Sequence, residues 1–347
     1  MSEKLRIGII GTGSVGKVIS TLLANDGYDV ECLDFNKDFK KEFKGNVQNS
    51  FVPIDVVGQF GTHSSFIKYA NQKFTSSKHI IILLTKAYNT VKAAKIAKQF
   101  LEPKGFVITL CNTHTIDELF KIIPKNKVVG LFIEWACLGT NDNLNRVVSK
   151  GANVIGVFDK DATSYFDIVK RIFNTISPTR IEKDMLGFIT SRYIMNSAIT
   201  GIGAISGLRL GKVLESRKSR KLFFYLIKES YEVCQKLGIK VPMYNHQLDY
   251  NCFCGDTFKN KMYRRKILNT IKIRNGNIMS STLKALEENT KTEIDYIMGK
   301  FVKYGRNLGL KMPYNKIVYE MIKDIEDGEH SINPENLELA FNLKYDD

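Results

Sequence analysis

Three glycines spaced Gly11-Thr12-Gly13-Ser14-Val15-Gly16 are of the type and spacing that cradle a phosphate. Gly11 lets the chain turn tightly, Gly13 lets bare backbone approach a pyrophosphate, and Gly16 lets the following helix pack close to the preceding strand. The phosphate then rests on N–H groups at the helix start, where the helix dipole favours negative charge. About twenty residues further on, Asp34 falls where a carboxylate accepts hydrogen bonds from the adenosine ribose hydroxyls and repels a 2′-phosphate. The expected cofactor is therefore NAD or NADP, with NAD favoured. Lys37, Lys40 and Lys41 follow closely, and one of them could restore phosphate binding.

These residues need a strand, a turn and a helix to position them, and the flanking sequence supplies the pattern. Leu5, Ile7, Ile9 and Ile10 precede the loop, and Val15, Val18, Ile19, Leu22 and Leu23 follow it at helical spacing. Asp29 to Leu33 reads as a second strand ending at Asp34, and Val52 to Val57 as a further short one. Ser65 to Asn71 is expected to begin a helix. His79 to Leu84 is a continuous apolar run, the mark of a parallel strand buried on both faces. It delivers Thr85-Lys86-Ala87-Tyr88 at its C-terminal end, where open α/β sheets bind ligands. A helix carrying Val91, Ala94, Ala97 and Phe100 comes next. Phe106 to Cys111 repeats the device and delivers Asn112, and Val128 to Ile133 ends at Glu134-Trp135-Ala136. Gly151 to Phe158 reads as a last strand, Asp161 to Thr175 as a helix, and Ser177-Pro178-Thr179 as the boundary.

From Ile181 onward strand signals fade and helical periodicity takes over. Lys221 to Leu237 closes on Gly238, and Thr292 to Leu308 closes on Gly309 with Pro313 beyond, both natural helix stops. The expected fold class is α/β: an N-terminal Rossmann dinucleotide-binding domain over residues 1–178, followed by an all-helical domain over residues 179–347.

The 347 residues suit two domains, and 44% hydrophobic content with seven prolines argues against long disordered segments. Lys plus Arg is 51 against 36 for Asp plus Glu, a formal charge of +15 that could signal nucleic acid, a membrane surface or an anionic small ligand. The lysines are scattered along helix faces and no basic block is interleaved with aromatics, so a nucleic-acid partner is not expected. No apolar run approaches the ~18 residues of a membrane span. Met1-Ser2-Glu3-Lys4 passes directly into a strand, with no secretory signal, and a cytoplasmic location is expected. The six cysteines are dispersed. Cys252-Phe253-Cys254, the one close pair, lacks further ligands at metal spacing, so no metal is expected.

Together these residues resemble the ketopantoate reductase (2-dehydropantoate 2-reductase) family over nearly the whole chain. The resemblance is carried by the glycine loop, Thr85-Lys86-Ala87-Tyr88, Cys111-Asn112, Arg192 to Ile205, Gly211 to Glu215, Leu237-Gly238-Ile239 with Pro242, and Ser280-Ser281 followed by Thr292-Glu293-Ile294-Asp295-Tyr296-Ile297. A serine twelve residues ahead of the Glu-Ile-Asp-Tyr-Ile run is its most specific part. The resemblance implies NAD(P)H-dependent reduction of a small anionic 2-oxo acid to a 2-hydroxy acid, by a homodimer. It implies that Lys86 and Asn112 contact the cofactor or line its nicotinamide end, and that Glu293 holds the nicotinamide ribose and orders the active site. Asn196, Thr200 and Ser281 fall at substrate-binding positions.

The chain departs from the family pattern at three points. Arg192 stands where the family carries its catalytic lysine, four residues before Asn196. A lysine ammonium can pass a proton to a forming alkoxide, which a guanidinium of pKa above ~12 does not. Arg192 can instead stabilise developing charge on the carbonyl oxygen or clamp a carboxylate. Thr200 replaces a frequent asparagine, and Asn112 is followed by Thr113-His114, which crowds the nicotinamide end or supplies an acid in His114. Two other readings stay open: an NAD-dependent 2-hydroxyacid dehydrogenase on the same fold, and a non-catalytic dinucleotide-binding sensor that kept the loop and lost the proton donor.

Overall fold

The computed structural model describes residues 4–35, 50–139 and 143–342, with the side chains of residues 50 and 275 not included. Lys37, Lys40 and Lys41 lie outside the described residues. The chain divides into two compact units, Met1–Met185 and Leu186–Asp347.

The first unit is built on one sheet. Its centre is β1 (Arg6–Ile10), β2 (Asp29–Leu33), β4 (His63–Ala70), β5 (Lys78–Leu83), β6 (Leu101–Leu110) and β7 (Val128–Ile133), all parallel to their neighbours. In space they run β7-β6-β5-β1-β2-β4. Numbered by sequence among themselves, that is the 3-2-1-4-5-6 order of a dinucleotide-binding sheet. The apolar runs have the expected cause. Ile80 and Ile82 enter the core on one face with Ile7 and Ile9, and Ile81 and Leu83 enter the core on the other with Ile10 and Val107. Helix α1 (Ser14–Asn25) covers the first face, and α2 (Thr90–Phe100) covers the second through Ala93, Ala94 and Ala97, joined by Leu119 of the short α3 (Ile116–Phe120).

The sheet continues past this centre on both edges. β3 (Ser50–Gly58) forms a hairpin with β4, pairing Val52 with Ile67 and Val56 with His63. The stretch expected to begin a helix at Ser65 is therefore a strand. Along it Ile67 and Tyr69 are buried while Phe66 is 70% exposed, the alternation of a half-buried strand fixed by its partner. β8 (Ala136–Gly139) and β9 (Leu144–Ser149) extend that edge. On the opposite edge β10 (Asn153–Val157) pairs antiparallel with β7. It is not the last strand: after α4 (Phe166–Asn174), β11 (Thr179–Glu182) pairs parallel with it. Pro178 O accepts from Asn153 N at 2.9 Å, so Ser177-Pro178-Thr179 is a turn tied into the sheet, and the compact unit runs on to Met185.

The second unit is helical among its described residues. Its longest helix, α5 (Met185–Ser206), is apolar around most of its circumference and correspondingly buried. After α6 (Leu210–Val213) comes α7 (Arg217–Lys236), then the short α8 (Asn251–Cys254), α9 (Phe258–Asn275), α10 (Ser281–Glu287), α11 (Ile294–Asn307), α12 (Pro313–Glu326) and α13 (Asn336–Asn342). Gly238 and Gly309 follow α7 and α11 at φ +69° and +68°, the left-handed stop expected of them.

Candidate functional site

In the first unit the C-terminal ends of the parallel strands lie level. Ile10 pairs with Leu33 and with Leu83, Leu83 with Thr109, and Leu110 with Leu131. The residues following these strands, Gly11, Asp34, Lys86, Asn112 and Glu134, thus share one edge of the sheet. Lys86 and Asn112 are exposed there. Glu134 accepts from Arg180 at 2.7 Å, and Trp135 turns inward and donates to Asn153 Oδ1 at 2.9 Å.

The three glycines do different work. Gly11 has φ +100°, and a Cβ on it would lie 2.7 Å from the carbonyl carbon of Leu84 and from Thr85 N, backbone that cannot yield. A Cβ on Gly16 would lie 2.2 Å from Gly11 O, so α1 meets the loop at a distance only glycine allows. Gly13, the N-cap residue of α1, is exposed with φ −62°, and a Cβ there would meet nothing within 4 Å. Its glycine is required neither by a left-handed φ nor by any neighbour among the described residues. The loop fits a nicotinamide dinucleotide, whose pyrophosphate would approach the bare backbone at that open position. Val15 packs against the sheet core, and Ser14 Oγ faces Gly139, whose Cβ would come within 2.6 Å.

Asp34 has a partner within the loop itself. Its Oδ2 accepts from Thr12 N at 2.6 Å and from the Thr12 hydroxyl, so the end of β2 holds the glycine loop directly. Beneath them burial pushes the Tyr69 phenol and the Cys32 thiol upward, and both stay neutral beside Asp34.

In the second unit, Arg192, Asn196 and Thr200 follow one another at four-residue spacing along α5 and so lie on one face. Arg192 and Asn196 are half-buried and Thr200 is buried. Thr200 Oγ1 donates to Asn196 Oδ1 at 3.3 Å. The Arg192 guanidinium lies 3.5 Å from the centroid of the Phe188 ring and 5.8 Å from that of Tyr244. Its Nη1 and Nη2 donate at 3.5 Å to Phe188 O and Asn245 Oδ1. Ser281, the expected substrate ligand, is exposed in the first turn of α10. Its neighbour Ser280 is buried, accepts from Leu283 N as N-cap, and donates to Thr200 O at 3.2 Å.

Glu293 is half-buried at the N-cap position of α11. The preceding Thr292 N donates to Glu326 Oε1 at 2.9 Å, and Lys323 also pairs with Glu326. Burial works to raise the Glu326 carboxyl, but the Lys323 and Thr292 hydrogen bonds outweigh it and keep Glu326 ionised. The start of α11 is therefore anchored to α12 beside Glu293. Sequence reasoning missed Phe188, Ser280, Tyr244 and Asn245. A phenylalanine four residues before the arginine carried a signal for the first, whereas the Tyr244-Asn245 contact carried none.

Family comparison agrees with this geometry. The model described as ketopantoate reductase PanE/ApbA matches residues 7–160, and that of the ketopantoate reductase PanE/ApbA C terminal matches residues 184–326. A 2-dehydropantoate 2-reductase of Pyrococcus abyssi is 23% identical over 331 residues, covering 93% of this chain and 98% of the relative. Among solved structures, a PanE/ApbA family ketopantoate reductase from Ralstonia eutropha superposes with TM-score 0.74 at 20% identity, covering 94% of this chain and 99% of that one. A ternary structure of D-mandelate dehydrogenase with NADH and anilino(oxo)acetate superposes with TM-score 0.76 at 15% identity, with the same coverage. Among the described residues no cluster of possible metal ligands occurs, and no helix is long and apolar enough to cross a membrane. With both family models matched in order along the chain, the chain belongs to the ketopantoate reductase PanE/ApbA family.

Proposed function

We propose that this protein is an NAD(P)H-dependent oxidoreductase that reduces a small 2-oxo acid to a 2-hydroxy acid, with ketopantoate as the first substrate to try. The observation that carries the reading is Gly13, whose lack of a side chain suits a closely approaching pyrophosphate and answers to no neighbour among the described residues. The nicotinamide, when bound, supplies the hydride that reduces the substrate carbonyl carbon. The chain's own residues bind, orient and balance charge. The loop N–H groups and the start of α1 hold the pyrophosphate, and Asp34 fixes the loop through Thr12. Lys86 and Asn112 are assigned to the cofactor at the strand edge, and Glu293 to the nicotinamide ribose.

Arg192 is assigned to the substrate, where its guanidinium stabilises negative charge on the carbonyl oxygen or clamps the carboxylate. It keeps its own proton, so the proton that completes the hydroxyl comes from another donor, His114, Lys86 or solvent. Asn196, Thr200 and Ser281 are assigned to the polar groups of the acid. NAD is favoured over NADP on the strength of Asp34, and a cytoplasmic homodimer is the proposed form. A D-mandelate dehydrogenase with the same fold keeps an NAD-linked 2-hydroxyacid dehydrogenase as a second reading.

Both are tested by following oxidation of NADH and NADPH against ketopantoate and a panel of straight, branched and aromatic 2-oxo acids. Ketopantoate turning over fastest supports the first reading. A preference for an aromatic acid supports the second, and cofactor binding without turnover of any acid refutes both.

A further inference from the structure

Arg192 is met by a feature that the assigned roles leave unexplained, the tight reversal Tyr244–Leu248. Tyr244 N donates to Leu248 O at 2.9 Å and Leu248 N donates back to Tyr244 O at 3.1 Å. The two residues at its tip, Asn245 and His246, have φ +49° and +56°. Two successive non-glycine residues in the left-handed region mark a backbone held by its surroundings. The restraint comes from α9: the Tyr263 hydroxyl donates to Gln247 O and accepts from Asp249 N at 2.8 Å, and Arg274 Nη1 donates to Gln247 Oε1 at 3.2 Å. What this conformation achieves is delivery of Asn245 Oδ1 to 3.5 Å from Arg192 Nη2 and of the Tyr244 ring to the same guanidinium. Phe188 fixes the group from its own helix, one turn back.

We propose that the Tyr244–Leu248 reversal is a positioning device for Arg192, with Asn245 as its positioning residue, so that the guanidinium is already oriented when a planar carboxylate or oxo group arrives. The inference rests on the assignment of Arg192 to substrate made above. A long arginine side chain loses much rotamer freedom on binding, and fixing it in advance removes that cost from the encounter. The amide of Asn245 is suited to the task because it accepts a hydrogen bond without cancelling the charge. A carboxylate at that position would pair with Arg192 and compete with the anionic substrate.

Asn245→Gly is the sharpest test, since glycine adopts the same φ without strain and removes only the amide. The variant should lose about five- to tenfold in kcat/KM for the 2-oxo acid, the scale of one hydrogen bond, with cofactor affinity and Tm unchanged or Tm raised. Asn245→Asp should lose more, chiefly through a higher KM. His246→Gly frees the same turn but keeps the Asn245 amide, so it should lose less than Asn245→Gly; an equal or larger loss would overturn the assignment of Asn245 as the positioning residue. If Asn245→Gly matches wild type while Arg192→Ala loses activity, the positioning role is wrong and the Arg192 assignment survives. If Arg192→Ala itself matches wild type, the assignment beneath the inference has failed.

Discussion

Replacing Gly13 with alanine adds one methyl group where no described residue beyond its chain neighbours has an atom within 4 Å, and replacing Gly16 adds the same methyl 2.2 Å from Gly11 O. The two substitutions should therefore separate ligand binding from folding. At Gly13 the backbone sits at φ −62°, open to alanine, so reduced freedom of the unfolded chain contributes about 0.4–1 kcal/mol of stability. Alanine is a somewhat poorer N-cap residue than glycine, by about 0.5 kcal/mol, and the two effects nearly cancel. Stability without cofactor should stay within about 0.5 kcal/mol of wild type. The methyl group, however, holds a phosphate away from the loop. Loss of one charge-assisted hydrogen bond, about 1.5–3 kcal/mol, corresponds to roughly ten- to 150-fold weaker dinucleotide binding.

At Gly16 the clash is with backbone, and overpacking of about 1–3 kcal/mol falls on the free protein. For a unit of this size that lowers Tm by about 2–4 °C per kcal/mol. Thermal melts without cofactor, paired with fluorescence titration of NADH, read both quantities. Wild-type cofactor affinity in Gly13→Ala would refute the loop as a pyrophosphate site, and an undisturbed Tm in Gly16→Ala would refute the close helix contact.

Asp34 should make NADH bind more tightly than NADPH, and Asp34→Asn should narrow the gap by about tenfold, the scale of 1.4 kcal/mol; equal or tighter NADPH binding in the wild type contradicts this. Arg192→Ala should lower kcat by about two to three powers of ten with cofactor affinity kept, as for loss of an oxyanion donor; a raised KM with kcat intact would instead mark uniform binding of the carboxylate. Glu229, buried in α7, accepts from Tyr314 N, Asn315 N and Asn315 Nδ2 at the start of α12, yet burial outweighs these donors and pushes its carboxyl up to about 7. The folded protein then holds a proton that the unfolded chain has released above its ordinary 4.5, so stability should fall as pH rises from about 4.5 to about 7 and level off beyond. The drop is on the order of 3 kcal/mol, and Glu229→Gln should remove it; equal pH slopes in the two proteins would contradict the buried titration.

What the sequence made legible was whatever local chemistry decides. The run His79 to Leu84 had to be a strand buried on both faces, and Ile80 to Leu83 do divide between the two cores. Gly16 is demanded by Gly11 O within the loop, Gly11 by its own φ of +100° as well as by the distant Leu84-Thr85 backbone, and Gly238 and Gly309 by the helix ends they close. Features set by partners distant in sequence were hidden. Ser65 to Ala70 has residues that suit a helix or a strand, and pairing with β2 and β3 decides. Lys78 opens an apolar strand but is fully buried against Glu31 of β2 at 2.6 Å, a partnership no spacing reveals. At the candidate site, four-residue spacing placed Arg192, Asn196 and Thr200 on one face, whereas Asn245 reaches Arg192 only through a turn that α9 restrains. Ser281 was favoured by its place in the motif, and the structure shows that Ser280 makes the buried bond to Thr200.

The central claim is that a nicotinamide held on this loop gives its hydride to the carbonyl carbon of a 2-oxo acid. NADH and NADPH deuterated at both C4 positions, incubated with the protein and the best acid of the panel, test it directly by mass spectrometry of the product. The account predicts a 2-hydroxy acid carrying deuterium at C2, formed in step with oxidation of the nicotinamide and abolished by Gly13→Ala at low cofactor concentration. Oxidised nicotinamide with no labelled hydroxy acid, or no oxidation with any acid despite cofactor binding, would contradict it.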